Sequence, residues 1–368
     1  MMKVTVEQAA LLKALAHTQS IVERRQTIPI LANVLIEATD DGISIKATDN
    51  ELEISEQLPA TIEEAGAVTV PAHKLYDIVR RLPDGSQVSL SLSEETSQVN
   101  IASGRAKFAL ACIAPEGFPT MAREETPFSF DLSAEDLQAL INKTSFAVSL
   151  EETRYNLNGI FLHEKKGALI AVATDGHRLA CAKTDLPDGA KGIPGVIIPR
   201  KTIGEVSKLV TEATDTIHIA LSNNQIRFKM EKVELSSRLI DGTYPDYEKV
   251  IPTGNDKTLA ADAKVLANVV ERVSVVSEKS KGIKLSLAPN LLKVSAATAD
   301  EGFAEDELDT TYAGDEMDIG FNYRYLLDIL AQIKGQNVKI GFQDGISPVI
   351  LQDTDDPNAL FVLMPMRV

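Results

Sequence analysis

The stretch Asn33–Asp49, NVLIEATDDGISIKATD, decides the fold, because its pattern recurs twice more along the chain. It reads as an apolar strand, a polar turn, a second apolar strand, then Ala-Thr and an Asp. The same order is found in Asn158–Asp175, NGIFLHEKKGALIAVATD, and in Ile283–Asp300, IKLSLAPNLLKVSAATAD. The three hairpins lie about 125 residues apart, and a fixed spacing of this kind predicts three repeated domains.

Each third of the chain contains a smaller pattern twice: a short strand, a helix and three alternating strands. In the first third, the second copy begins with Ala67–Val70, continues into a helix that carries Leu75 and Leu82, and ends with strands up to Ala111. The other second copies begin near Gly195 and Met317. One such unit cannot bury its own sheet and helix, so the sequence predicts an α+β fold in which paired units form each domain.

Six helices are predicted, two in each third. One carries Leu75, Ile78, Val79 and Leu82 at helical spacing, and the others lie near Val6–Thr18, Ser133–Lys143, Arg200–Leu209, Asp262–Arg272 and Tyr323–Ile333. Breaker-rich segments separate the thirds, at Pro115–Thr120 (PEGFPT) and Tyr244–Asp256 (YPDYEKVIPTGND). We therefore expect domains at residues 1–122, 123–252 and 253–368.

The composition argues against a membrane protein and against a secreted one. The chain has 368 residues, of which 44% are hydrophobic and 24% charged, and no apolar run approaches the roughly 20 residues that a membrane span needs. Met1–Ala10 lacks the features of a signal peptide, so we expect a cytoplasmic protein. Cys112 and Cys181 are far apart, which predicts two small buried residues rather than a disulfide or a zinc site.

The net charge of −16 argues against a protein that grips nucleic acid through a general basic surface. The predicted helices are the exception, with eleven basic and eight acidic residues, or 11 − 8 = +3, which leaves −19 for the rest of the chain. A mildly basic helical layer inside an acidic exterior is compatible with this count. Ordinary solvated helix faces explain the same count, and charge alone favours that explanation.

An enzyme would need a cluster of reactive side chains, and the best candidate is Asp175 with His177. No nucleophile accompanies this pair, the five histidines lack metal-ligand spacing, and there is no Gly-rich phosphate loop. The sequence therefore predicts neither catalysis nor a bound cofactor or metal. His177 is left with two interpretations, a structural histidine or part of a binding surface.

Several strings, taken together and in order, resemble the family of bacterial DNA polymerase III beta subunits, the replicative sliding clamps. They are ERRQTIPIL at Glu23–Leu31, VPAHKL at Val70–Leu75, RYNLNG at Arg154–Gly159, ATDGHRLA at Ala173–Ala180, IPRK at Ile198–Lys201, YPDY at Tyr244–Tyr247 and the terminal VLMPMRV. The resemblance covers the whole chain.

The resemblance implies a three-domain DNA clamp fold and a non-enzymatic function. Two subunits would form a head-to-tail homodimeric ring around duplex DNA, with helices lining the hole and sheets outside. The ring would confer processivity by tethering the DNA polymerase III alpha subunit, the clamp loader and other proteins that carry a clamp-binding motif. No cofactor and no membrane are implied.

The resemblance also implies three sets of site residues. The partner-peptide pocket would comprise Leu157, Thr174, Gly176, His177, Arg178, Leu179, Pro245, Val250, Val362, Met364, Pro365, Met366 and Arg367. The DNA-facing residues would be Arg25, Arg200 and Lys201. The dimer interface would contain Lys74, Arg105, Lys107, Phe108, Leu110, Val275, Val276, Glu301 and Glu305.

The chain departs from the family's pattern at three positions. His73 stands where the family often has Arg, Glu151 lies beside a loop that the family uses near DNA, and Val368 replaces the usual terminal Leu. Two alternatives also stay open: a repeat scaffold that assembles proteins without encircling DNA, and a C-terminal segment that simply ends an edge strand.

Overall fold

The structure, a computed structural model, describes residues 2–24, 27–93, 96–213, 216–298 and 302–367. Internal contacts divide the chain into two compact units. Unit 1 comprises Met1–Ala134, Pro187–Ala190 and Gly204–Leu239, and unit 2 comprises Glu135–Leu186, Lys191–Ile203 and Ile240–Val368.

The described residues form 26 strands, numbered in chain order. The first ten are β1 (Lys3–Glu7), β2 (Asn33–Thr39), β3 (Gly42–Thr48), β4 (Leu52–Leu58), β5 (Thr61–Glu64), β6 (Gly66–Pro71), β7 (Gln87–Ser93), β8 (Gln98–Ser103), β9 (Ala106–Ala111) and β10 (Phe128–Ser133). The next seven are β11 (Gly159–Lys165), β12 (Ala168–Thr174), β13 (Arg178–Asp185), β14 (Val196–Pro199), β15 (Thr216–Leu221), β16 (Gln225–Met230) and β17 (Val233–Arg238). The last nine are β18 (Lys257–Asp262), β19 (Gly282–Ala288), β20 (Leu291–Thr298), β21 (Gly302–Asp309), β22 (Thr311–Tyr312), β23 (Met317–Asn322), β24 (Asn337–Phe342), β25 (Val349–Asp353) and β26 (Asp356–Leu363).

Six α-helices occur in the described residues, as the sequence predicts. They are α1 (Gln8–Ile21), α2 (Ala72–Val79), α3 (Ala134–Ser145), α4 (Arg200–Glu212), α5 (Ala263–Ser274) and α6 (Tyr323–Leu330). Short 3-10 helices span Pro29–Ala32, Pro115–Gly117, Glu152–Leu157, Tyr247–Val250 and Val275–Ser277. The order strand, helix, three strands is found six times, which confirms the predicted repeat.

Helix ends differ from the prediction by a few residues, for local reasons. Helix α1 begins at Gln8 rather than Val6, because Val6 is the inward-facing residue of β1 and pairs with Val88. Helix α5 begins where the carboxylate of Asp262 accepts the backbone N–H groups of Lys264 and Val265, both at 3.0 Å. A side-chain acceptor of this kind satisfies amides that have no partner inside the helix.

Paired repeats exchange their first strands. In the first third, β1 leaves its own repeat and pairs with β7, while β6 pairs with β2. The same exchange joins β10 to β15 and β14 to β11, and it joins β18 to β24 and β23 to β19. Each four-stranded half-sheet therefore contains strands from two repeats, so neither repeat can complete its sheet alone.

Four of these half-sheets join edge to edge to make two larger sheets. In unit 1, β17 pairs antiparallel with β4 and produces the eight-stranded order β10-β15-β16-β17-β4-β3-β2-β6. In unit 2, β13 pairs with β26 and produces the nine-stranded order β14-β11-β12-β13-β26-β25-β24-β18-β22. The remaining sheets, β5-β1-β7-β8-β9 and β21-β20-β19-β23, end on β9 and β21.

The prediction that both cysteines are buried is wrong. Cys112 follows the edge strand β9 and is only half-buried, with its thiol 3.1 Å from the carbonyl oxygen of Ser97. Cys181 is also half-buried, on β13, where its side chain lies on the same face as the buried Leu179. Position along the sequence alone does not reveal how completely distant segments cover a cysteine.

Candidate functional site

A tight turn from Thr174 to Arg178 connects β12 with β13 in unit 2. One carboxylate oxygen of Asp175 accepts the backbone N–H groups of His177 at 2.9 Å and Arg178 at 3.0 Å. The hydroxyl of Thr174 donates to the carbonyl of Arg178 at 2.7 Å and accepts the N–H of Gly176 at 3.1 Å. Local side-chain hydrogen bonds therefore fix the conformation of this turn.

Gly176 is required at the apex of the turn. Its φ is +87°, in the left-handed region that favours glycine. A Cβ atom there would also lie 2.8 Å from Nη1 of Arg154, whose Nε forms an ion pair with Glu151 at 3.0 Å. The carboxylate of Glu151, where the chain departs from the family's pattern, is thus paired with Arg154 on the same loop.

The C-terminal segment is attached to this turn. Leu179 is opposite Val362 in the β13–β26 pairing, and the backbone N–H of Met364 donates to the carbonyl of His177 at 2.9 Å. The interpretation that the segment ends an edge strand is wrong, because β26 lies between β13 and β25.

An apolar cluster fills the floor beneath the turn. Its buried members are Leu157, Val172, Leu179, Ile197, Tyr244, Tyr247 and Val362. Phe161 stacks on Tyr244 with ring centroids 4.8 Å apart and planes inclined by 5°. Cys181 packs against the same cluster, and burial raises the pKa of its thiol to about 11. The floor is therefore preformed and keeps this thiol protonated at neutral pH.

The tyrosine hydroxyl of Tyr247 contacts a buried histidine. Nε2 of His163 lies 3.0 Å from this hydroxyl, within hydrogen-bond distance. Burial lowers the pKa of His163 below its ordinary value, so the imidazole is neutral at neutral pH. This contact helps to hold the segment that carries Pro245 and Val250, both of which are exposed.

The side chain of Arg178 stabilises the turn and does not form an exposed surface of the pocket. Its side chain is only 10% exposed, and its guanidinium donates to Asp175 at 3.1 Å, to the carbonyl of Phe146 at 2.6 Å and to Asp328. The same group stacks on Tyr325 and Phe146, 4.5 and 5.1 Å from the ring centroids. A planar group with several donors and two flat faces can satisfy all of these contacts at once.

The structure separates the predicted pocket residues into three places. Leu157, Leu179 and Val362 belong to the buried floor, whereas Val250 and Met364 are exposed above it, Met364 by 37%. Pro365–Arg367 line a neighbouring groove of about 750 Å³, together with Gly320 on β23 and Ile346. The N–H of Met366 donates to the carbonyl of Gly320 at 2.9 Å, which anchors the segment along this groove.

Asp175 and His177 do not form the acid–imidazole pair of the enzyme interpretation. The Asp175 carboxylate contacts backbone amides and Arg178, and the ring of His177 stacks instead on Tyr325 at 5.8 Å. His177 is exposed, which favours its second interpretation as part of a surface. Within the described residues, no three His, Cys, Asp or Glu side chains are placed to hold a metal ion.

Sequence reasoning missed Phe146, Tyr325, Asp328 and Ile346 as residues of this region. The first three contact Arg178 from distant parts of the chain, and their local sequence marks them only as ordinary helix or loop residues. Tyr244 and Tyr247 are part of the YPDY string, and their aromatic side chains are the sequence signal that could have assigned them to the apolar floor.

The predicted DNA-facing residues are only partly described. Arg200 opens α4 and is exposed, and Lys201 is half-buried in its first turn. Arg25 lies outside the described residues. No helix in the described part of the chain is both long and apolar enough to cross a membrane.

The predicted interface residues occupy two separate surfaces. Lys74, Arg105, Lys107 and Phe108 are exposed and Leu110 is half-buried, all on or near α2 and β9. In unit 2, Val275 is 68% exposed, Val276 is half-buried and Glu305 is exposed on β21. Glu301 lies outside the described residues.

His73 contributes to packing rather than to a free charged surface. Its Nδ1 lies 3.0 Å from Oε1 of Gln19, and its Nε2 lies 3.0 Å from the carbonyl oxygen of Val22. His73, which stands where the family often has Arg, therefore connects α2 with the end of α1.

Comparisons with known proteins agree over the whole chain. Profiles of the DNA polymerase III beta subunit match residues 2–122 (N-terminal domain), 131–246 (central domain) and 248–367 (C-terminal domain). The beta sliding clamps of Caulobacter vibrioides and Escherichia coli K12 are 45% and 36% identical over 372 residues, with 100% of each chain covered. The crystal structure of a sliding clamp from Bartonella birtlesii bound to griselimycin has a TM-score of 0.97 and 44% identity, again with 100% of each chain covered.

Replacing Arg178 with Lys should lower the free energy of unfolding by about 1.5–3 kcal/mol, because charge-assisted hydrogen bonds and stacking are lost at a buried site. Urea denaturation measures this change. The control is Arg154→Lys, since its ion pair with Glu151 is half-exposed and should contribute less than about 1 kcal/mol. Equal losses in the two variants would contradict the supporting role of Arg178.

Proposed function

Because the chain belongs to the DNA polymerase III beta subunit family, the bacterial sliding clamps, we propose that two copies close head to tail through strands β9 and β21. The chain has the three-domain clamp fold and is a DNA sliding clamp, a ring that encircles duplex DNA and tethers replicative polymerase. It is a processivity factor and not an enzyme.

The sheet edges support this mode of closure. Six half-sheets each end on the last strand of a repeat, and four of those last strands pair in the junctions β17–β4 and β13–β26. Of the six last strands, β9 and β21 are the two that have no neighbouring strand on their outer side within the described residues. Unpaired edges readily accept another chain, and a heterologous contact between three-domain arcs closes into a ring.

Charge and apolar exposure on the two edges are complementary. The β9 surface carries Arg105, Lys107 and the exposed Phe108, whereas β21 carries Glu305 and Glu307. Lys293 pairs with Glu305 at 2.9 Å within one chain, so a partner's basic residues would share this carboxylate. The exposed Val275 supplies an apolar counterpart for Phe108.

Replacing Arg105 and Lys107 together with Glu should raise the dimer dissociation constant at least about tenfold, because like charges would then face β21. Sedimentation equilibrium measures the monomer fraction. A matched control changes Lys165 and Lys166 to Glu, which alters the net charge equally on a hairpin turn outside both edges. An unchanged dimer in the first variant would remove β9 from the interface.

We propose that Arg200 and Lys201, with Arg25, face DNA inside the ring. The support is the place of Arg200 and Lys201 at the start of α4 and the mild excess of basic residues on helices in a chain of net charge −16. Few phosphates can be neutralised at once, so binding should be weak and salt-sensitive. Retention on DNA would then depend on encirclement.

Rings loaded on nicked circular DNA should survive moderate salt, and they should leave within minutes when the circle is linearised. Gel filtration of labelled protein with DNA measures retention before and after cutting. Arg200→Ala with Lys201→Ala should weaken binding to short linear duplex by about tenfold or less, while leaving retention on circles unchanged. Equal retention on linear and circular DNA would contradict encirclement.

We propose that partner peptides bind over the apolar floor, between the Thr174–Leu179 turn and the C-terminal segment Val362–Val368. The preformed floor, the exposed rim residues Val250 and Met364 and the adjoining groove support this assignment. Small concave apolar sites with a few polar groups at the rim suit extended peptides, and methionine adapts to related motifs. DNA polymerase III alpha subunit and the clamp loader are the expected partners.

Met364→Ala should weaken peptide binding by about 1–3 kcal/mol, because binding energy concentrates in a few anchors. Fluorescence anisotropy with a labelled clamp-binding peptide measures the affinity. The side chain is partly exposed, so the variant should keep its dimer mass and melting temperature; Val265→Ala on α5 is a control of similar exposure. Deleting Met364–Val368 should abolish binding, and intact binding after the deletion would refute the assignment.

We further propose domain boundaries near residues 122 and 252 and a site of action in the cytoplasm. The breaker-rich segments around Pro115–Thr120 and Tyr244–Asp256 support the boundaries. A protein that tethers bacterial replication enzymes works where the chromosome is copied, which supports the location.

A further inference from the structure

One side-chain cluster in unit 1 has no part in the peptide pocket, the edge strands or the DNA-facing residues. It lies beside the β4–β17 junction, where the segments Met1–Ala134 and Gly204–Leu239 share one sheet. At this junction the N–H of Gln57 also donates to the carbonyl of Lys232 at 3.0 Å. The cluster connects α1, β4 and the last turn of α4.

His17 of α1 stands between two carboxylates. Its Nδ1 lies 2.8 Å from Oε2 of Glu56, and its Nε2 lies 3.3 Å from Oε1 of Glu212. The side chains of His17 and Glu56 are only 9% and 6% exposed. An ionised carboxylate can only accept hydrogen bonds, so both ring nitrogens must donate, and this requires the imidazolium form.

The surrounding charges favour that form. Lys13 on α1 pairs with Glu212 at 2.9 Å, and Glu231 and Lys232 lie in the turn between β16 and β17. Burial alone would lower the pKa of His17, but the hydrogen bonds and charges of Glu56 and Glu212 outweigh it and raise the pKa above its ordinary value. The hydrogen bond from Lys13 lowers the pKa of Glu212, which keeps this carboxylate ionised.

We propose that His17, Glu56 and Glu212 form a proton-dependent latch that holds α1 and β4 to the end of α4. With His17 protonated, one ring donates to both segments of unit 1. When the proton leaves, a neutral imidazole keeps one donor, and its other nitrogen becomes an acceptor that faces an acceptor. The contact to the half-exposed Glu212 is then lost, because the buried Glu56 has the stronger need for a donor.

The sign of the pH dependence follows from this arrangement. A histidine whose folded pKa is raised contributes its full stabilisation below its unfolded pKa of about 6.5, and that contribution is lost as pH rises through the folded pKa. Each unit of difference corresponds to about a tenfold change in the opening equilibrium. The latch should therefore be closed in mild acid and weakened in mild alkali.

A cavity gives the proton access to solvent. It has a volume of about 310 Å³, and Leu58, Leu209 and Met230 line it together with His17 and Glu212. A second bridge between the same helices, from the hydroxyl of Ser20 to Glu205 at 2.6 Å, does not involve His17 and should keep the helices in place after the latch opens.

Hydrogen exchange of the full-length dimer tests the latch. Peptides covering Gly204–Ala213 should be less protected at about pH 9 than at about pH 6, after correction for intrinsic exchange, by up to about tenfold per unit of pKa difference. His17→Gln should lack this change and should match the wild type only at high pH. A flat wild-type profile, or an unchanged profile in His17→Gln, would overturn the proposal.

Two further variants keep the test decisive. Glu212→Gln removes a half-exposed carboxylate, so it should fold, and because its amide can donate to a neutral imidazole, protection should no longer fall as pH rises. His218→Gln is the matched control, because His218 also pairs with one carboxylate, Asp131 at 2.7 Å, but is exposed and its contact joins β15 to β10 rather than to α4. It should retain the wild-type profile; loss of the profile in this variant would assign the pH dependence elsewhere.

Discussion

The exchange of first strands between paired repeats is the interaction on which the rest of the structure depends. Strands β1 and β6 each complete the sheet of the neighbouring repeat, and the pairs β10–β15 with β14–β11 and β18–β24 with β23–β19 repeat this arrangement. Each repeat contributes a strand that its own sheet does not use, so folding requires both members of a pair. The exchange also places the last strand of a repeat at one edge of every half-sheet. That regularity makes the junctions β17–β4 and β13–β26 equivalent to each other.

The two internal junctions have acquired different chemistry. At β13–β26 the strands bring Leu179 beside Val362, and the apolar floor forms there with the Arg178 turn at its rim. At β4–β17 the corresponding space contains His17, hydrogen-bonded to Glu56 at 2.8 Å, and a cavity of about 310 Å³. The same backbone pairing thus lies beside the proposed peptide site at one junction and the proposed latch at the other. Side chains that project from the paired strands, rather than the pairing itself, decide what each junction does.

Local sequence predicts the repeats, the six helices and the α+β fold, because periodicity at 2 and 3.6 residues is a local property. It predicts less about how distant residues meet. Arg178 was assigned to the pocket by resemblance, but its partners Asp328, Phe146 and Tyr325 come from remote segments, and no periodicity encodes those contacts. The cysteines show the same limit at a smaller scale. Residue type indicates full burial, whereas the actual cover of Cys112 and Cys181 depends on which distant segments pack over them.

A chain of net charge −16 can stay on DNA while binding it only weakly, provided that ring closure, rather than affinity for DNA, retains it. Each ring closes through two copies of one heterologous contact, so opening requires only one of them to break, while the other keeps the subunits together. With the proposed interface, the free energy of closure would be tuned at β9 and β21. The apolar floor proposed to bind peptides lies at β13–β26, within unit 2, and includes no residue of β9 or β21. With these assignments, partner binding and ring closure use different residues, which would let one ring exchange enzymes while it stays on the same DNA.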